Sequence, residues 1–244
     1  MNVLSIGNSF SQDAQRYLHQ IAEADGVKLD NYNLYIGGCP LSSHHRNMLS
    51  EKPVYALGVN GMDIGFSVSM KDALLNRDWD VVTIQQASHY SFDYKTYQPY
   101  LNNLAAYIRQ YVPKAKIYIQ QTWAYEQGSP RLADTAGYAD QKDMFNDLKA
   151  AYAQGAQDAK LDGIIPSGEV FQEMLANGIQ KIHRDTFHAS LGLGRYALGL
   201  IWYKVLTGND IAENAFCKFD EEVTPEQIAI AKKSVEAVYQ RYYG

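Results

Sequence analysis

Cysteine is scarce in this 244-residue chain: Cys39 and Cys217 are the only two. Two cysteines build no disulfide framework, and these could pair only if the fold brings them together; unpaired, they would serve as small buried or half-buried thiols. Basic runs are missing as well. With a net charge of -5 and a pI near 5.7, no nucleic-acid partner is expected. No apolar stretch approaches the roughly 18 residues that a membrane-spanning helix requires. Secretory-leader features are also lacking, because the first strand begins at Asn2; that suits a cytoplasmic protein, or a secreted domain whose leader has been removed. There is no internal repeat, low-complexity tract or Pro/Gly-rich linker, so one domain over residues 1–244 is expected. No P-loop occurs, and no Gly-x-Gly-x-x-Gly follows the first strand, which excludes the common nucleotide cradles. His44 and His45 are adjacent and project differently, a poor metal pair; no metal or cofactor is expected.

What the chain does hold is a core. Hydrophobic residues make up 46% and charged residues 20%, the profile of a globular protein. Tyrosine is abundant, with 19 copies; its apolar face and polar tip serve cores and wet clefts alike, and composition does not say which use dominates.

Short apolar runs alternate with longer helical patterns. Residues 2–7, 32–36, 79–86, 115–121 and 162–166 read as strands, and 12–25, 95–111, 140–160, 168–177, 190–206 and 225–242 as helices. Strands separated by helices imply right-handed crossovers, hence an α/β fold with a mostly parallel, about five-stranded sheet covered on both faces. One passage breaks the rhythm: around Asn60-Gly61, residues 54–68 read as an inserted β-hairpin with a type I′ turn. In such sheets ligands bind outside the carboxyl ends of the strands. The residues there are Asn8-Ser9, Gly37-Gly38-Cys39, Gln85-Gln86, Gln120 to Tyr125, and Pro166-Ser167-Gly168.

Ser9 admits two readings. Ser9-x-x-Gln12 matches a capping box, so the serine could simply start a helix. It could also be a nucleophile displayed at a strand end, which needs a base, a group to orient that base, and oxyanion donors. Of the six histidines, His188 lies three residues after Asp185 in HRDTFHAS, before a predicted helix. At that spacing a carboxylate can reach its own histidine's ring and fix the tautomer.

The blocks GNSFSQDA, GGCPL, WDVVTIQQAS, QTWAYEQGS, IIPSGEVFQ and RDTFHASLGLGRY occur in order over most of the chain. Together they resemble the SGNH/GDSL hydrolase superfamily, esterases and lipases on a flavodoxin-like three-layer α/β/α sandwich, and more narrowly an uncharacterised bacterial branch of it. The resemblance implies Ser9 as nucleophile, His188 as base and Asp185 as its orienting carboxylate. Oxyanion donors would be the backbone N–H groups of Ser9 and Gly38. The family's Gly-x-Asn-Asp block is absent after the third strand; Gln85-Gln86 stands there, and Gln86, nearer the strand end, is expected to supply the third donor while Gln85 faces the other way.

Substrate contacts are expected from His89, Tyr90, Trp123 and Tyr125, which fall in loops on the same side. Aromatic planes with polar rims suit sugar faces, so the expected substrate is an ester, chiefly acetyl, on a carbohydrate or small molecule. The alternatives are a lipid or thioester acyl hydrolase on the same triad, and a catalytically silent carbohydrate-binding protein. Oligomeric state is not legible.

Overall fold

A central strand in a doubly covered sheet must be apolar on both faces, and VLSIG at the N-terminus satisfies that: β1 (Asn2–Gly7) is buried from Val3 onward. The computed structural model describes the whole chain, Met1–Gly244. After β1 come α1 (Ser9–Gln15), α2 (Leu18–Ala24), β2 (Asp30–Tyr35) and α3 (Leu41–Ser50). A hairpin of β3 (Tyr55–Val59) and β4 (Met62–Val68) leads to α4 (Met70–Leu75) and β5 (Val81–Ile84). Then follow α5 (Tyr100–Tyr111), β6 (Lys116–Gln120), α6 (Gln141–Asp158), β7 (Gly163–Ile165), α7 (Ser167–Ala176), α8 (Leu193–Thr207) and α9 (Pro225–Tyr243).

The strands form one seven-stranded sheet in the order β4-β3-β2-β1-β5-β6-β7. Pairings from β2 through β1, β5, β6 and β7 are all parallel, and helices cover the sheet on both sides. The expected α/β sandwich is therefore the observed one, with a larger sheet. The difference lies in the hairpin: β3 pairs antiparallel with β2, so the inserted segment extends the sheet. Its turn residues Asn60 and Gly61 have φ of 50° and 81°, as a type I′ turn requires. A Cβ at Gly61 would lie 2.3 Å from the Arg16 carbonyl oxygen, so no larger residue fits.

Local departures from the sequence reading have physical causes. The expected helix over 12–25 is two helices, broken at Arg16-Tyr17, where the buried Tyr17 hydroxyl donates to Leu191 O at 2.6 Å. The helices α3 and α4 were not anticipated. α3 is largely polar and presents only Leu41, His44 and Met48 to the interior, while α4 is barely a turn and a half. Tyrosine serves mainly the core: Tyr17, Tyr55, Tyr97, Tyr125, Tyr152, Tyr196 and Tyr203 are fully buried, and most of the others pack partly buried against it. Cys39 is buried, Cys217 exposed, and both are free thiols. No helix is long and apolar enough to cross a membrane.

The chain leaves β1 towards β2 on one side and later returns to β5 on the other. This is a topological switch point, and the crevice outside the carboxyl ends of β1 and β5 is where such sheets hold ligands.

Candidate active site

Ser9 stands at that crevice. The cap of α1 is Asn8, not Ser9: Asn8 is extended and its Oδ1 accepts from the Phe10 N–H at 3.0 Å. Ser9 becomes the first helical residue, and its hydroxyl is released from capping. The turn is tight because Gly7 has no side chain; a Cβ there would lie 2.4 Å from Ser11 Oγ and 3.0 Å from Gln85 Oε1.

The late loop supplies the partners. Ser9 Oγ lies 2.8 Å from His188 Nε2, and His188 Nδ1 lies 2.7 Å from Asp185 Oδ2. Asp185 Oδ1 also accepts the His188 backbone N–H at 2.8 Å, so one carboxylate grips both ring and main chain. A carboxylate only accepts, so Nδ1 carries the proton and Nε2 is left as the acceptor facing Ser9. Partial burial pushes the Asp185 carboxyl up, but hydrogen bonds from the His188 ring and backbone outweigh it and hold the group below its ordinary range. The turn that achieves this places Thr186, a β-branched residue, at φ 75°, a strained conformation of the kind that clusters at functional sites. Thr186 O is fixed by the Glu126 N–H at 2.8 Å and Phe187 O by the Trp123 indole N–H at 2.8 Å.

A buried carboxylate couples the two arms. Asp13, on α1 and fully buried, accepts from Arg184 at 2.9 Å, from Arg195 at 2.9 Å and from the Ala189 N–H at 3.2 Å. Arg184 and Ala189 flank Asp185 and His188 in sequence, so Asp13 clamps the loop that carries His188 onto the helix that carries Ser9. Arg195 continues to Asp220 at 3.0 Å, which also holds Arg16 at 2.6 Å.

A cavity of about 320 Å³ opens beside Ser9 and His188, lined also by Asn8, Gly38, Ser88, His89 and Arg131. The backbone N–H groups of Ser9 and Gly38 donate to no group within the protein. Gly38 has φ 61° and nothing within 4 Å of the position of a Cβ, so its backbone is open to a ligand. Its loop is held by Asn8 Nδ2, which donates to Cys39 O at 3.2 Å, a bond that an aspartate at this position could not donate.

Three sequence expectations need correction. Gln86 does not reach the cavity: its amide donates to Thr96 O and Oγ1 at 3.1 and 3.0 Å, while its Oε1 accepts from Leu41 N and Ala87 N. Buried with four peptide and hydroxyl partners, it stitches loops together and is not an oxyanion donor. Gln85 does not face away either; it donates to Asn8 Oδ1 at 2.6 Å and braces the turn into Ser9. Trp123 and Tyr125 are fully buried, so they offer no platform to a sugar. Trp123 stacks on Phe10 at 4.2 Å, and the Tyr125 hydroxyl pairs with Ser88 Oγ at 3.0 Å. His89 does line the cavity, and Tyr90 is 42% exposed in the same short helical turn.

The sequence reading placed Asn8 at a strand end without a role and passed over Asp13, Ser88 and Arg131. Asp13 and Arg131 have no local signal, because their partners are distant in sequence. No group of three or more His, Cys, Asp or Glu side chains is placed to hold a metal.

The fold is shared with SGNH/GDSL hydrolases. A candidate SGNH hydrolase from Slackia heliotrinireducens superposes with a TM-score of 0.63 at 23% identity, over 84% of this chain and 98% of that one. The lipase/acylhydrolase from Enterococcus faecalis gives 0.53 at 14% identity, over 85% and 96%. The chain belongs to the family described as "Domain of unknown function (DUF4886)", whose profile matches residues 2–238. A crystal structure of a DUF4886 family protein from Bacteroides uniformis is similar at 31% identity and a TM-score of 0.92, over 98% of this chain and 95% of that one. None of the curated proteins matches the chain.

Proposed function

We propose that this protein is a serine ester hydrolase acting on a short acyl ester, acetyl first among them, of a sugar or another small polar alcohol. The reading is carried by the line from Ser9 Oγ through His188 to Asp185, at 2.8 and 2.7 Å, opening beside two unused backbone N–H groups. Ser9 Oγ attacks the ester carbonyl carbon while His188 Nε2 takes its proton; Asp185 steadies the resulting imidazolium. The carbonyl oxygen gains the negative charge and is met by the Ser9 and Gly38 N–H groups. Collapse breaks the bond to the alcohol oxygen, which leaves with the proton from His188. Water then attacks the acyl-serine with His188 again as base, and carboxylic acid and free Ser9 are released.

A cavity of about 320 Å³ is at the lower end of ligand-sized sites and favours a small acyl group. Its lining holds no Leu, Ile, Val or Met, which counts against an aliphatic lipid tail. Polar Ser88 and His89 suit a hydroxylated alcohol. A silent binding protein would need neither the base nor its carboxylate.

The test is turnover of aryl acetates and acetylated sugars, with labelling by an alkyl fluorophosphonate. Ser9→Ala and His188→Ala are each expected to lower kcat by about 10⁴-fold or more with little change in melting temperature. The phosphonate adduct should map to Ser9. Substantial turnover by Ser9→Ala, or an adduct on another residue, would overturn the reading.

A further inference from the structure

Arg131 occupies the wall of the catalytic cavity, half-buried, at the start of a single π-helical turn after β6. No carboxylate neutralises it. None of the ion pairs in the molecule includes Arg131, whereas Arg16, Arg184, Arg195 and Arg241 each hold an aspartate or glutamate. Its polar neighbour on the protein side is the Tyr125 hydroxyl. The guanidinium is not loose: its carbon lies 3.8 Å from the ring centroid of Phe187 and 5.8 Å from that of Tyr125. Stacking of this kind holds the planar group while leaving its in-plane N–H donors free.

The guanidinium also lies close to the proposed catalytic pair. Phe187, under it, is in ring contact with His188, 3.8 Å between centroids, so the unpaired cation is one ring away from the imidazole that faces Ser9. Burial and then the charge of Arg131 push the His89 pKa down, so His89 adds no second cation. A fixed, unpaired, planar cation beside a nucleophile is suited to a planar anion, which it can meet with two parallel hydrogen bonds.

We infer that Arg131 recognises a carboxylate on the substrate, making the preferred substrates acyl esters of acidic sugars or other hydroxy acids. The chemistry rests on the serine-hydrolase reading; the binding does not.

Two matched probes separate the possibilities: the acetate esters of 4-hydroxybenzoate and of 4-hydroxybenzamide, which differ in the charge of one substituent. For Arg131→Gln, kcat/KM on the carboxylate ester should fall about 10- to 100-fold, mostly through KM, with a loss on the amide ester several-fold smaller. Arg131→Lys, which keeps the charge without the fork, should recover part of the preference. Equal losses on both esters would mean that Arg131 serves the oxyanion or the fold, and no loss on either would leave it idle; each result overturns the inference. Binding of the carboxylate ester to Ser9→Ala, with and without Arg131→Gln, is read by NMR titration and needs no turnover. Arg131-dependent binding without hydrolysis would sink the hydrolase reading and keep this one. Hydrolysis with Arg131-independent binding would do the reverse.

Discussion

The loops after β1 and α7 and the loops after β5 and β6 meet at one crevice with similar residue types, yet they use them oppositely. In the first pair, Ser9 Oγ and His188 Nε2 meet at the cavity, while neighbours only a few positions away, Asn8, Asp13 and Arg184, absorb the structural hydrogen bonds. In the second pair, the residues nearest the strand ends turn inward: Gln85 braces Asn8, Gln86 joins Thr96 to Leu41, and Trp123 holds Phe187 O. There the cavity is lined by residues further along the loops, Ser88, His89 and Arg131. The same division separates two histidines five positions apart, His188 facing Ser9 and His183 buried against Ala124 O. A polar side chain at a strand end is available for chemistry only when something else satisfies the loop's buried peptide groups.

The sharpest way to break this comparison is at Asp13, where the outward-facing pair depends on an inward-facing charge. Asp13→Ala leaves Arg184 without its anion and Arg195 with Asp220 alone, and removal of one member of such a cluster typically costs about 3–5 kcal/mol. Denaturant unfolding should show that loss, and kcat should drop as the His188 loop comes free of α1. Unchanged stability would mean that the loop is held by other contacts.

Next in size is the contrast between the two glutamines. Gln86→Ala strips partners from the buried Leu41 and Ala87 N–H groups and should cost about 1–3 kcal/mol, with kcat changed little at temperatures where the protein stays folded. Gln85→Ala should lose comparable stability and also lower kcat, because it frees Asn8 beside the nucleophile. If Gln86→Ala instead lost about 100-fold or more in kcat at constant melting temperature, its amide would be reaching the oxyanion after all.

The effect that is smallest near neutral pH grows as the pH falls. Burial pushes His183 down to about 4 and His44 to about 3, below the ordinary histidine value of about 6.5. Between those limits the unfolded chain binds protons that the folded chain does not. Stability should therefore fall as pH drops below about 6.5, by about 1.4 kcal/mol per pH unit for each histidine. For His183 the slope ends near pH 4. His183→Gln should make the slope between pH 6 and pH 4.5 shallower by one proton, as read from urea unfolding. An unchanged slope would show that His183 takes up its proton in the folded state.

Several features of this chain were legible before any coordinates. The alternation of apolar runs and helical periods determined the α/β layering, since strand and helix periods differ and a buried parallel strand must be apolar on both faces. Asn60-Gly61 determined the I′ turn through the left-handed backbone that both positions adopt. The spacing of Asp185 and His188 allowed their pairing, which spans a single turn, and the resemblance carried by the motif blocks pointed to it. Tertiary structure alone decided the rest. Whether the hairpin would stand apart or extend the sheet depended on β2 offering an open edge. Which of Gln85 and Gln86 would face the serine depended on which buried peptide groups lacked partners, and those groups came from α3 and from the loop before α5. The clamp of Asp13 on Arg184 and the approach of Arg131 to the cavity each join residues remote in sequence. Periodicity and spacing report what a segment does within its own turn of chain; contacts closed over more than a hundred residues are set by packing, and only the folded molecule contains them.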